Sequence, residues 1–192
     1  MGKLIAKTAT ATLGAIISVL LVVFLILHFF VPSAMVKVTT SFGMEKLALK
    51  YSIKTYEKSE DLSDLQDVLY RANELEDYSV IVKYSPSMYD DDKFLTFCDA
   101  QQSGEISYKS YVLSNYIFAL NEEGVPISDI IAKTKYLYDN FYGTGFEQFN
   151  PYHALCMVLT SPNAEVVSLL TTIVCDGEEA VLRDYYVTKL TA

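Results

Sequence analysis

Tryptophan is absent from this 192-residue chain, histidine occurs twice, and the three cysteines share no C-x-x-C spacing. Each shortage narrows the chemistry. A histidine-based triad or zinc site would have to rest on His153, because His28 lies in a long hydrophobic run. Cys98, Cys156 and Cys175 sit in apolar surroundings and read as buried free thiols. In an exported domain, Cys156 with Cys175 is the pair expected to form a disulfide.

Familiar catalytic signatures are missing too. No G-x-S-x-G, H-E-x-x-H or P-loop occurs, so hydrolase, metalloprotease and nucleotide-hydrolase readings have no motif behind them, and neither a cofactor nor a metal is expected. Asp90-Asp91-Asp92 lacks the alternating ligands, glycine and distal Glu of a calcium loop, and reads as a cap for a helix starting near Lys93. Gly143-Thr144-Gly145 lacks the third glycine and preceding strand of a dinucleotide loop, and reads as a turn.

No acidic residue precedes Glu45, and beyond Val31 there are 13 basic against 24 acidic residues, a balance of -11. So negative a domain repels phosphate backbones, which argues against nucleic acid as a partner. With 51% hydrophobic and 13% aromatic residues, the chain has ample material for a packed core.

One uncharged run, Leu13 to Val31, is present in full strength. At about 1.5 Å per residue it nearly spans a hydrocarbon core of roughly 30 Å, and it must be helical there because lipid offers no hydrogen-bond partners. A cleaved signal peptide is the rival, supported by Lys3, Lys7 and the small residues after Val31, but signal cores are shorter, about 7 to 15 residues. The expectation is a single-pass signal-anchor in a cell membrane: a tail over 1–12, a transmembrane helix over 13–32, a connector over 33–43 and an acidic helical domain over 44–192. Lys3 and Lys7 before the span, against Lys37 and Lys46 after it, slightly favour an inside N-terminus and an extracytoplasmic domain.

The domain reads as mainly α. Leu62, Leu65, Val68, Leu69, Ala72 and Leu75 recur at three- and four-residue spacing, and Tyr108, Tyr111, Val112, Asn115, Tyr116 and Ala119 form a second stripe that marks a central helix. Gly124 and Pro126 end one helix and Ser128 is expected to cap the next. Asn150-Pro151 and Ser161-Pro162 each mark a further start. A helical-hairpin array is expected, whether an irregular tetratricopeptide-like solenoid or a bundle, though the tetratricopeptide spacing fits in no register. Asp176-Gly177 between segments rich in Val, Thr and Tyr leaves a C-terminal β-hairpin as the lesser alternative.

Fifteen tyrosines stand out. Tyrosine combines contact area with a polar tip and is enriched at interfaces, which makes Tyr78, Tyr84, Tyr108 and Tyr111 a candidate partner surface. The expected function is a membrane-anchored protein-interaction or scaffold module with a protein or peptide partner. The alternative is a small-ligand sensor or enzyme built from His153, Asp139 and Glu147 around the Gly143 turn.

Overall fold

Proline and glycine cut this chain into short helices, and most of the cuts fall where their backbone preferences place them. The computed structural model describes residues 2–101, 107–146 and 149–191, with side chains from residue 12 onward. Among the described residues there are eleven helices and no strand. Internal contacts group them into two units that divide after Arg71.

The first unit opens with α1 (Gly2–Phe30), followed by α2 (Pro32–Ser41), α3 (Glu45–Ser59) and most of α4 (Leu62–Glu74). Within α1, Thr12–Phe30 is long and apolar enough to cross a membrane, and none of that stretch is buried in the protein. The passage over 33–43, expected to be a connector, is helical as far as Ser41 and turns at Phe42 and Gly43. Pro32 occupies the first turn, where its missing N–H costs nothing. Met35 and Thr39 are buried, and the Thr39 hydroxyl donates to the Met35 carbonyl at 2.7 Å, so a polar-looking segment satisfies itself within a helix. Gly43, with φ +67°, closes a hairpin of α2 on α3.

Two contacts tie the end of α1 to α3. His28 Nδ1 lies 2.5 Å from the Tyr51 hydroxyl, and Lys58 Nζ donates to the Phe30 carbonyl at 3.0 Å. The Ser52 hydroxyl donates to Asp67, which also receives Arg71 Nε at 2.9 Å, linking α3 to α4. The expected stripe of α4 is buried from Leu62 to Ala72, while Leu75 beyond it is half-buried.

The second unit contains α5 (Tyr78–Tyr89), α6 (Phe94–Ala100), α7 (Tyr108–Glu122), α8 (Ile127–Phe141), α9 (Pro151–Val158), α10 (Ala164–Thr172) and α11 (Gly177–Thr191). As its periodicity predicts, α7 is central and packs against α5, α6, α8 and α9. Val112, Leu113, Tyr116, Ile117, Ala119 and Leu120 are all buried.

Several caps differ from expectation. Ser128 lies inside α8, which starts directly after Pro126. Ser161-Pro162 precedes α10 without capping it, because the Asn163 side chain accepts the Val166 N–H at 3.0 Å. Asn150 does cap α9, accepting the His153 N–H at 2.7 Å, with Pro151 at the first helical position. The segments on either side of Asp176-Gly177 are helices and no hairpin of strands forms. Gly177, at φ +54°, opens α11. Here the four-residue spacing of Val166 with Leu170 and of Tyr186 with Leu190, all buried, prevails over local β preference.

The C-terminal helix also closes the ends of its neighbours. Lys189 Nζ donates to the Cys156 and Leu159 carbonyls at 3.0 and 3.3 Å, satisfying groups left open where α9 ends. Arg183 Nη1 donates to the Ile173 carbonyl at 2.8 Å and does the same for α10.

Candidate functional site

The turn after α8 creates the concave feature of interest in the second unit. Gly143, at φ +72°, and Gly145, at φ +83°, take left-handed conformations that reverse the chain. The Tyr138 hydroxyl donates to the Gly145 carbonyl at 2.7 Å, and the Gly145 N–H donates to the Val174 carbonyl at 3.1 Å. The Phe146 N–H donates to a Glu179 carboxylate oxygen at 2.9 Å, while the Phe146 ring is fully buried.

Beside this turn lies a cleft of about 180 Å³. The last turns of α8 supply Lys135, Tyr138 and Asp139, and the turn supplies Gly143 and Thr144. Tyr152 enters from α9, α10 contributes Leu169 and Thr172, and the segment after it contributes Ile173 and Val174. Lys135 and Asp139 form an ion pair at 2.5 Å, one helical turn apart and half exposed, so its net contribution to stability is small. Burial, helped by the Asp139 carboxylate, pushes the Tyr152 hydroxyl up to about 12, so it stays neutral at physiological pH. No histidine or cysteine is present among the described residues that line the cleft. Among the described residues, no group of three His, Cys, Asp or Glu side chains could hold a metal.

Of the residues expected around the Gly143 turn, Asp139 lines this cleft and His153 does not. Glu147 lies outside the described residues. His153 is only 5% exposed and serves the fold. Its Nδ1 accepts the Phe149 N–H at 3.1 Å, which leaves the proton of the neutral ring on Nε2, 3.3 Å from the Tyr186 hydroxyl. Phe149 has φ +63°, unfavourable for a side chain of its size, and its carbonyl accepts from the Ser114 hydroxyl. His153 and Ser114 therefore pin the strained residue from both sides. Burial lowers the His153 pKa, holding the ring neutral.

Of the four tyrosines expected to face a partner, Tyr84 is buried and Tyr78, Tyr108 and Tyr111 are half-buried. Tyr84 is 5% exposed, with Lys83 Nζ lying 4.6 Å from its ring centroid. Tyr108 and Tyr111 stack with ring centroids 5.9 Å apart, and their hydroxyls are screened from solvent. Tyr78 sits half-buried on the first turn of α5. Without tryptophan, tyrosine fills the wide gaps between helices. The exposed apolar groups of the second unit lie elsewhere, notably Val174 at 79%, Val181 at 72% and Tyr185 at 61%. Their signal in the sequence is faint: Val181 and Tyr185 are four apart on α11, outside the buried stripe of Tyr186 and Leu190.

Cys98, Cys156 and Cys175 are free thiols, and the Cys156–Cys175 bridge is not formed. Cys156 is fully buried, and burial pushes its thiol up to about 12 despite the Lys189 ammonium.

No protein-family model, no curated protein and no solved structure matches this chain.

Proposed function

We propose that this chain is a membrane-tethered helical interaction module: α1 is a single-pass signal-anchor, its N-terminal tail lies inside, and the helices beyond it recruit a protein or peptide partner outside the cytoplasm. The hairpins α2–α3 and α10–α11, with α8 and α9 packed between α7 and the cleft, are read as an irregular helical-hairpin array.

The observation that carries the partner reading is the apolar surface left on the second unit after folding, at Val174, Val181 and Tyr185. Val174 lies in the loop before α11, while Val181 and Tyr185 are four apart on α11 itself, and exposed apolar side chains that adjoin on one helix face are a common mark of a protein interface. Val174 also lines the cleft, whose volume of about 180 Å³ suits one side chain of a partner. Small-molecule sites usually enclose about 300 to 1,000 Å³. The alternative, a ligand sensor or enzyme centred on His153, is weakened by the burial of that ring and by its distance in function from the cleft, where it lines nothing.

A photo-crosslinking residue at position 181 or 185 of the full chain, in cells, tests the reading. The expected result is a discrete adduct with one protein that disappears when the other position carries Asp. Smeared or absent adducts from both positions would overturn it. Protease added to intact cells tests the orientation: digestion of a membrane-retained chain supports the outside placement, and protection places the helices in the cytoplasm.

A further inference from the structure

The charge of this chain is unevenly placed. Residues 32–59, which make the α2–α3 hairpin, carry five lysines and two glutamates, whereas the rest of the chain after residue 59 carries eight basic and 22 acidic residues. The hairpin is thus a cationic island that directly follows the apolar helix of a strongly acidic protein.

Four of these lysines, Lys46, Lys50, Lys54 and Lys58, recur every fourth residue on α3. At 100° per residue they occupy roughly 120° of the helix circumference. That arc lies opposite Ala48, Leu49 and Ser52, and the buried Tyr51, which meets α1, borders it beside Lys58. Lys46, Lys50 and Lys58 are exposed and Lys54 is half-buried. Among the described residues none of the four forms an ion pair; the Glu45 carboxylate is taken by Arg71 at 3.1 Å, Lys54 Nζ lies 5.5 Å from the Tyr51 ring centroid, and Lys58 Nζ donates to the Phe30 carbonyl. Glu57 is the one acidic residue on the same arc.

The position of this face relative to α1 gives it meaning. Lys58 Nζ is 3.0 Å from the Phe30 carbonyl, at the last residue of the apolar helix, and Tyr51, about two turns earlier on α3, meets His28. If α1 crosses a bilayer, this end of α3 stands at headgroup level, because the polar zone extends only about 5 to 8 Å beyond the hydrocarbon on each side. Phe42 is 74% exposed at the hairpin turn, and Met44 and Leu47 beside it are exposed as well. Lysines flanked by exposed apolar groups match an interface in which the stems lie along lipid and the ammonium groups reach the phosphates.

We propose that the lysine face of α3 binds the anionic phospholipid headgroups of the leaflet at the C-terminal end of α1. This rests on the reading of α1 as a membrane anchor and holds for either orientation. Each lysine close to an anionic surface favours association by roughly fivefold. Four of them hold the hairpin against the leaflet, whereas neutral lipid leaves it free.

The test reconstitutes the full chain in vesicles of phosphatidylcholine alone or mixed with phosphatidylglycerol. A membrane-impermeant amine reagent labels lysines, and mass spectrometry compares Lys46, Lys50 and Lys54 with the exposed Lys93 as internal reference. Because all four lie on the same side of α1, their ratios do not depend on the direction of insertion. Labelling of the three relative to Lys93 is expected to fall by about threefold or more in anionic vesicles, and to recover at about 1 M salt, where screening shortens to roughly 3 Å. Equal ratios in both vesicles, for a chain that resists alkaline carbonate extraction, would overturn the headgroup proposal and leave the anchor standing. A chain that carbonate extracts from both would overturn the anchor reading itself.

Discussion

The backbone N–H of Phe149 donates to Nδ1 of His153, so this imidazole can take up a second proton only by setting two donors against each other. Burial disfavours the charged ring further and lowers its pKa below the ordinary 6.5.

Folding stability should therefore depend on pH through His153. The unfolded chain binds a proton near pH 6.5 that the folded one refuses. The contribution is complete above that pH and is lost as pH falls, at up to about 1.4 kcal/mol per pH unit until the folded pKa is reached. Thermal unfolding in detergent between pH 7.5 and 5.5 should show Tm falling with pH. His153→Gln should be less stable at pH 7.5 and nearly flat over the same range. A wild-type slope that survives the substitution would place the titration elsewhere.

Lys189→Met should cost about 1 to 2 kcal/mol, because it keeps the apolar stem and removes the ammonium that satisfies two carbonyls at the end of α9. Denaturant unfolding reads this directly. Loss of much less would mean that water replaces the cation at no cost.

Gly145→Ala should destabilise by about 1 to 2 kcal/mol, since φ +83° is strained for any residue with a Cβ. The new methyl would also sit 3.1 Å from the Glu179 carboxylate oxygen that holds the Phe146 N–H. Hydrogen exchange at Phe146 should accelerate more than at Tyr116, in the central helix, if the damage is confined to the turn.

Alkylation should separate the cysteines. Cys175 is partly exposed, whereas Cys98 and Cys156 are buried, with thiols pushed up to about 12. Iodoacetamide on the folded protein at pH 8 should add one label first, at Cys175, whose thiol burial also raises but which solvent reaches, and two more only after denaturation. A mass lower by two hydrogens before reduction would instead reveal a disulfide.

Much of the helical layout can be read from the sequence where apolar spacing is long and regular, as in Leu62–Ala72 and Tyr108–Leu120. Asn150-Pro151 is legible because side chain and proline act at adjacent positions of one cap. Ser161-Pro162 misleads because the stronger cap, Asn163, follows immediately. The helix over Pro32–Ser41 is hidden by its Thr and Ser residues, whose hydroxyls bond back to their own helix. The candidate cleft is less legible: Asp139 and Gly143 point to it, but Thr172 and Val174 reach it through packing of α10, which no local pattern encodes. Tyrosine counts cannot distinguish a ring wedged between helices, such as Tyr84, from one facing water, such as Tyr185, because both use the same apolar area.

The attachment of Tyr51 to His28 and of Lys58 to Phe30 gives α1 a crank. A helix joined to its hairpin only through Pro32 could tilt or roll while the hairpin stayed still. Held at two points a full turn of α3 apart and more, the hairpin must swing with it. If α1 spans a bilayer as proposed, a change in bilayer thickness, which a spanning helix absorbs by tilting, would thus reappear as displacement at Phe42, at the far end of a lever arm α2 long.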